Sequence, residues 1–127
     1  MHVLRKGTAP RYKRPDGICS HLLASARTSD SEHPTISLVE IDLGGHQAIH
    51  SHRPEQIYFM RDGYGEMTIG QETSEVHAGD CIFVPSGASH GLLNNDDEQL
   101  RYFSAAAPTL KPQQLMDLWP LGPEDAE

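Results

Sequence analysis

We expect neither an export signal nor a membrane segment in this sequence of 127 residues. Its apolar runs are far shorter than the roughly 20 residues that a membrane-crossing helix needs. Residues 1–6 also lack the apolar stretch of a secretory signal. The two cysteines, Cys19 and Cys81, are too few for a disulfide scaffold. These absences predict a cytoplasmic protein with no membrane partner.

Basic residues are scarce, because 10 lysines and arginines stand against 18 acidic residues and give a formal net charge of -8. This charge repels nucleic acid, so no nucleic-acid partner is expected. Half of the basic residues cluster near the start of the chain, namely Arg5, Lys6, Arg11, Lys13 and Arg14. We interpret this cluster as a solvated arm.

Long segments of helical periodicity are missing as well, and short alternating runs broken by Gly, Pro, Asn and Asp take their place. Such runs predict β-strands. The predicted strands cover residues 18–24, 35–43, 46–52, 56–61, 65–69, 72–77, 81–85, 90–93 and 99–105. Turn sequences such as Arg61-Asp62-Gly63 separate them. Many short strands at this spacing predict an all-β sandwich or barrel.

The length of the chain is that of a single domain with short tails. We expect an N-terminal arm at 1–17, a β-barrel at 18–110 and a C-terminal segment at 111–127. In the last segment Pro112 is followed by Leu115, Leu118 and Trp119 at helical spacing, and acidic residues come last. This pattern predicts a short docking helix or a loose tail.

The strongest chemical signal is the triplet His50-Ser51-His52. On a strand, alternation turns both imidazoles to one face, with backbones roughly 6.6 Å apart, so both can reach one metal ion. Further ligands must then come from neighbouring strands, because a histidine nitrogen lies about 2.0 to 2.1 Å from its metal. His90 and Gln56 are the candidates. Taken alone, the triplet is equally typical of histidines that line a surface or a pocket.

The spacing around these residues resembles the two motifs of the cupin superfamily. The first motif is Gly, five residues, His-x-His, three or four residues, Glu, six residues and Gly, and it is met with Gln in place of Glu by Gly44, His50, His52, Gln56 and Gly63. The second motif is Gly, five residues, Pro-x-Gly, two residues, His, three residues and Asn, and it is met throughout by Gly79, Pro85, Gly87, His90 and Asn94. The resemblance covers most of the chain.

This resemblance implies a cupin-type jelly-roll β-barrel that holds one divalent transition metal ion on His50, His52 and His90. Nitrogen and oxygen ligands of intermediate softness accept several metals, and we expect Fe, Ni, Mn or Zn. Cupins that resemble this chain commonly dimerise by exchanging an N-terminal arm. Residues 1–17 contain a strand-like patch, and edge strands pair with partners, so we expect a homodimer.

The fourth ligand is where the sequence departs from the motif, since Gln56 occupies the glutamate position and Glu55 precedes it. Adjacent strand residues point to opposite faces, so either Gln56 or Glu55 lines the pocket. Counting back from Gly63 favours Gln56, in keeping with cupins in which an amide oxygen is the fourth ligand. A site of three histidines alone is the remaining alternative.

Three imidazoles and an amide are neutral, so the charge of a divalent ion is uncompensated and its open positions favour an anion. We expect a metal-dependent enzyme that acts on a small carboxylate or sugar acid, as an oxygenase, isomerase or lyase. The alternative is a non-catalytic cupin that binds or senses a small molecule and whose metal is structural.

Several further residues have weaker signals. Tyr58 is the candidate acid, base or hydrogen-bond donor on the inward face, although a buried tyrosine is equally typical of a core. His46 lies four residues before His50, so on a regular strand both would point to the same face. His46 therefore faces either the barrel mouth or the rim. We expect Asn94 to cap the polar turn that it begins. His2, His21, His33 and His77 show no ligand spacing.

Overall fold

The computed structural model describes residues 1–108 and 123–124 of the chain. Strands form where the sequence alternates between apolar and polar residues. They are β1 (Arg11–Lys13), β2 (Ile18–Ala24), β3 (Thr35–Ile41), β4 (His46–His50), β5 (Glu55–Asp62), β6 (Tyr64–Ile69), β7 (Glu72–His77), β8 (Cys81–Val84), β9 (His90–Leu93), β10 (Leu100–Ala107) and β11 (Pro123–Glu124). Within the described part, the helical elements are a 3-10 turn at Lys6–Thr8 and a single turn of helix, α1 (Ala26–Ser29).

Two antiparallel sheets build the barrel. The seven-stranded sheet has the order β11-β1-β2-β3-β10-β5-β8, and the four-stranded sheet has the order β4-β9-β6-β7. From β3 to β6 and from β7 to β10, successive strands alternate between the two sheets. This connectivity is that of a jelly roll, in which two sheets enclose one core. The predicted all-β jelly-roll barrel is confirmed.

Strand β5 shows how alternation fills this core. Tyr58 and Met60 are fully buried, whereas the intervening Ile57 and Phe59 are 45% and 47% exposed. The inward residues of both sheets pack into one cluster, which includes Ile18, Val39, Ile41, Met67, Leu92, Leu100 and Tyr102. Each large apolar side chain that is removed from water stabilises the barrel by roughly 1.5 to 3 kcal/mol.

The nine strands predicted between residues 18 and 105 correspond to β2 through β10, and their ends agree within two residues. Strand β4 ends at His50, so His52 lies just beyond the strand on which the sequence places it. Pro54 follows closely and has no N–H to donate to a ladder, which favours a turn between the two sheets at this point. The backbone oxygen of His52 instead accepts a hydrogen bond of 2.9 Å from the Gly87 amide.

The predicted arm contains β1, which pairs with β2 and with β11 of the same chain. The contact of residues 1–17 with a second copy stays a prediction. The helix or tail predicted at 111–127 lies outside the described residues, except that Pro123–Glu124 form β11. Among the helices that the structure describes, none has the length and apolar character needed to cross a bilayer.

Candidate metal centre

Three histidines from two strands and a loop converge between the sheets. His50 ends β4 and pairs in register with His90, the first residue of β9, while His52 follows in the loop after β4. One ring nitrogen from each residue lies within 4.8 Å of the other two. A single ion bound at about 2.1 Å reaches donors up to about 4.2 Å apart, so small side-chain shifts complete such a site. These three residues could hold one metal ion.

A bulge in β4 aims His50 at this centre. The register between β4 and β9 shifts between Gln47 and His50, so the simple alternation that links His46 to His50 is broken. His46 is therefore exposed on the rim, whereas the Gln47 side chain points inward and accepts a hydrogen bond from Tyr58. Gly91 permits the close packing of the bulge, because a Cβ atom there would lie 2.9 Å from the Gln47 carbonyl oxygen.

All three imidazoles are held in the same tautomer. The Nδ1 atoms of His50, His52 and His90 lie 2.8, 2.9 and 2.9 Å from backbone carbonyl oxygens two residues away, those of Ala48, Pro54 and Ala88. A carbonyl oxygen only accepts, so each Nδ1 carries the hydrogen. In the neutral rings the lone pair is then on Nε2, which is the arrangement that metal-binding histidines require.

The electrostatic surroundings keep two of these rings neutral. Burial lowers the pKa of His90 to about 4, and the neighbouring His50 and His52 lower it further against the opposing effect of the Ala88 carbonyl. Burial also lowers the pKa of His50, with smaller contributions from His52 and Arg14. At neutral pH both rings are therefore unprotonated and able to bind a cation.

Gln56 completes the cluster on β5, and its amide has a defined orientation. Its Nε2 atom donates to Ser104 Oγ on β10 at 3.0 Å, so Oε1 faces the histidines. This oxygen lies 2.7 Å from His52 Nε2 and 3.1 Å from His90 Nε2. Two donors bound at about 2.1 Å and at right angles on one ion are about 3.0 Å apart. The Gln56 oxygen therefore has the spacing of a fourth ligand.

The Gln56 amide has the orientation that a bound metal ion would favour. His90 Nε2 and Gln56 Oε1 are both acceptors, so their close approach is unfavourable unless a cation lies against both. The reversed amide would donate to the rings and accept from the Ser104 hydroxyl, which would satisfy a site without metal. The observed orientation suits the site with metal.

Glu55 and Tyr58 flank Gln56 with different surroundings. Glu55 is exposed on the outer face of β5, so Gln56 is the residue of this pair that lies beside the histidines. Tyr58 is fully buried behind Gln56, and its hydroxyl donates to Gln47 Oε1 at 2.9 Å, with Gln56 Oε1 as a second, weaker acceptor at 3.4 Å. Burial raises its pKa well above the usual value, against a smaller opposing effect of Gln47. Tyr58 therefore stays protonated at neutral pH.

Asn94, the last residue of the second motif, has a structural role. It is fully buried, and its Nδ2 atom donates to the backbone oxygens of Ile41, Asp42 and Glu98 at 2.9 to 3.1 Å. Its Oδ1 atom accepts from the Asp96 amide at 3.0 Å, as expected of a residue that caps a turn. Asn94 thus ties the end of β3 to the turn before β10.

A second group with metal-ligand character, Cys19, His21 and Glu40, lies on the outer face of the larger sheet. Its Glu40 carboxylate already binds His21, Lys6 and Arg101. Burial by itself would raise the pKa of Glu40, but the hydrogen bonds from His21, Arg101 and Lys6 outweigh it and lower the pKa to about 2. Because the cationic Lys6 and Arg101 repel a metal ion, we interpret this group as a structural ion-pair network.

Sequence reasoning missed two residues of the centre, Gln47 and Ser104. Gln47 was hidden by the bulge, because simple alternation places it on the outer face. Ser104 lies 48 positions from Gln56, and only the pairing of β10 with β5 brings them together. A polar residue between the apolar neighbours Phe103 and Ala105 is the one signal that marks Ser104. No sequence motif relates His21 to Glu40, so the sequence did not predict this pair.

Comparison with known proteins places this geometry in a family. The Cupin domain family model matches residues 37–106. An uncharacterized protein of Methanocaldococcus jannaschii is 32% identical over 85 residues, which cover 60% of this chain and 68% of that protein. A predicted oxalate decarboxylase of Thermotoga maritima superposes with a TM-score of 0.72 at 21% identity, over 84% of this chain and 98% of that one. The polyketide cyclase RemF of Streptomyces resistomycificus superposes with a TM-score of 0.74 at 16% identity, over 91% of both chains.

Proposed function

This chain belongs to the cupin domain family, and on that premise we propose that it is a metal-dependent enzyme acting on a small carboxylate or sugar acid. The observation that carries the proposal is that one ring nitrogen of each of the three histidines lies within 4.8 Å of the other two, with the Gln56 amide oxygen 2.7 and 3.1 Å from Nε2 of His52 and His90. We assign one divalent transition metal ion per chain to these four residues. Oxygenase, isomerase and lyase reactions are the classes that fit such a centre.

The charge of the ligand set supports an anionic substrate. All four proposed ligands are neutral, so the two positive charges of the ion are not compensated by the protein. The buried surroundings strengthen the interaction of this charge with a bound carboxylate relative to bulk water. When bound, the ion supplies Lewis acidity and orients the substrate.

The residues behind the ligands position them. Ser104 fixes the amide of Gln56, and the carbonyl oxygens of Ala48, Pro54 and Ala88 fix the imidazoles. Tyr58 stays protonated and donates its hydrogen bond mainly to Gln47, with Gln56 as a weaker acceptor, so we assign it a positioning role and no role as a general base. The loss of such a supporting contact typically lowers metal affinity or activity by about 10-fold to 100-fold.

The described activities of two structural neighbours bear on the substrate class. One is described as a predicted oxalate decarboxylase, which by that description acts on a small dicarboxylate, and another is a polyketide cyclase. Both resemble this chain in fold, at 21% and 16% identity. The description of the first neighbour supports a small carboxylate as the substrate class.

The test combines binding and turnover. The protein is loaded with Fe, Ni, Mn or Zn in turn and titrated with small carboxylates and sugar acids beside their neutral esters and alcohols. We expect carboxylates to bind at least about tenfold more tightly, a difference of about 1.4 kcal/mol, and to be turned over only with metal. Tighter binding or faster turnover of the neutral compounds would contradict an anionic substrate. Metal-dependent binding without turnover for every metal would favour the non-catalytic binding protein.

A further inference from the structure

A cleft of about 400 Å³ lies between the last strands of the two sheets. Strand β7 ends the smaller sheet and β8 ends the larger one, and residues 78–80 join the two strands. The apolar side chains that line this cleft and also pack with the core are Met67, Ile69, Val76 and Ile82. Sites for small molecules typically measure about 300 to 1,000 Å³, so this space, which we call the edge cleft, has the size of a ligand site.

Strand register connects the edge cleft with the histidines. On the smaller sheet, Ile69 pairs with His90 of β9 on one side and with Glu72 of β7 on the other. Residues directly opposite each other on adjacent strands share a face, with Cβ atoms about 4.5 to 5.5 Å apart. Ile69 is therefore both a wall of the edge cleft and the neighbour of a proposed metal ligand. The cleft begins about one strand spacing, or about 5 Å, from His90.

The wall that the larger sheet contributes leads to the same centre. Ile82 pairs with Tyr58 of β5, and Val84, two residues further along β8, pairs with Gln56. Val84 and Gln56 are both buried, so this row faces the space between the sheets. The edge cleft is thus flanked on each sheet by a strand neighbour of a proposed metal ligand.

Negative charges surround the mouth of the edge cleft. Glu72, Glu75 and Asp80 line it and are exposed. Their carboxylates repel an anion, whereas the proposed metal ion attracts one. A carboxylate substrate is therefore oriented with its charged end at the metal, and the rest of the molecule extends into the cleft, where Ile69 and Ile82 offer apolar contacts.

The volume of the edge cleft limits the size of the group that it accepts. An apolar cavity of roughly 150 Å³ is enough for benzene. The edge cleft, at about 400 Å³, accommodates a phenyl ring together with a short linking chain. Each CH₂ group that leaves water for an apolar wall raises the affinity about fourfold. A sugar ring gains less, because its hydroxyl groups lose water when they are buried against isoleucine side chains.

We propose that the substrate is a carboxylate with an apolar substituent about the size of a phenyl ring, and that this substituent lies in the edge cleft against Ile69 and Ile82. The inference rests on the proposed function and narrows its substrate class, from carboxylates and sugar acids to apolar carboxylates. Ile69 and Ile82 are then residues that determine specificity, because they contact the part of the substrate that does not reach the metal.

The first test titrates the zinc-loaded protein with acetate, 3-phenylpropanoate and glucuronate in a calorimeter. We expect 3-phenylpropanoate to bind at least about 30-fold more tightly than acetate, and glucuronate to bind no more tightly than acetate. Ser74→Trp fills the edge cleft, because Ser74 lines it and pairs with the buried Met67. This variant should bind 3-phenylpropanoate at least about tenfold more weakly and acetate as before. Glu66→Trp, at an exposed position on the outer face of β6, is the matched control and should change neither affinity.

A second measurement locates the ring and needs no variant, so it holds even if Ser74→Trp does not fold. In the zinc-loaded wild type, nuclear Overhauser effects should connect the ring protons of 3-phenylpropanoate with the methyl groups of Ile69 and Ile82. A ring without these contacts would overturn the proposal, and so would equal affinity for acetate and 3-phenylpropanoate or tighter binding of glucuronate. These results would leave the proposed function standing as long as acetate binds the zinc-loaded protein. Failure of every carboxylate to bind would instead contradict the proposed function itself.

Discussion

The Gln56 side-chain oxygen lies 2.7 Å from His52 Nε2, and Ser104 holds it there by accepting a hydrogen bond from the other end of the amide. Both facing atoms are acceptors when His52 is neutral with its hydrogen on Nδ1. Their approach is favourable only when a cation or a proton lies between them. This pair of residues thus links the fold of the barrel to the proposed metal chemistry.

Gln56→Glu tests the neutral ligand set. A carboxylate at this position keeps an oxygen ligand but adds a negative charge beside the ion, so we expect retained or tighter metal binding. Anions such as azide or oxalate should bind the metal-loaded variant at least about tenfold more weakly, because the glutamate carboxylate already compensates part of the positive charge of the ion. Calorimetric titration of the wild type and the variant, both loaded with the same metal, measures the difference. Equal anion affinity would contradict the electrostatic argument.

Ser104→Ala tests the support of the fourth ligand. Without the Ser104 hydroxyl the Gln56 amide is free to reverse, and we expect metal affinity to fall by about 10-fold to 100-fold. Ser37→Ala is the control, because this substitution removes the same hydroxyl group. Ser37 lies on the neighbouring strand β3, where it pairs with Ser104 of β10. Competition with a chelator of known affinity measures the constants. An equal effect of both substitutions would show that Ser104 has no particular role in orienting the amide.

The sequence predicts the parts of this centre that depend on neighbouring residues of one strand. It does not predict the parts that depend on contacts between residues far apart in the sequence. Alternation along one strand predicts that only one of Gln56 and Glu55 faces inward, and the motif spacing counted back from Gly63 favours Gln56. The position of Gln47 depends on a bulge that Gly91 of another strand permits, and the role of Ser104 depends on the register of β10 with β5. Local periodicity contains no information about either relation. For the same reason the nine strands of the barrel were predictable, whereas the ion pairs of Glu40 were not.

Asn94→Ala is expected to destabilise the barrel without a direct effect on the metal. The buried Asn94 amide bonds three backbone oxygens and one backbone amide, and its loss leaves these groups without partners. We expect a loss of about 3 kcal/mol in the free energy of unfolding. Changing the exposed neighbour Asn95 to alanine should lower the free energy of unfolding by less than about 0.5 kcal/mol. Urea unfolding of both variants compares them, and equal stability would exclude the structural role of Asn94.

Glu40→Gln tests the ion-pair network through its pH dependence. The pKa of Glu40 is lowered from 4.5 to about 2 in the folded chain, so the carboxylate stabilises the fold fully above pH 4.5. That contribution is lost as the pH falls from 4.5 toward 2. We expect the variant to be less stable by about 2 kcal/mol at neutral pH, with the difference shrinking in acid. Glu72→Gln, at an exposed position on β7, is the control. A difference that stays constant with pH would contradict this assignment.

The metal content of the purified protein shows whether His50, His52, Gln56 and His90 form a metal centre. Elemental analysis compares the wild type with His52→Ala and with His46→Ala, which alters an exposed histidine on β4. We expect about one transition metal ion per chain in the wild type and in His46→Ala, and a large loss of metal in His52→Ala. A wild type without metal, which cannot be loaded with Fe, Ni, Mn or Zn, would contradict this expectation.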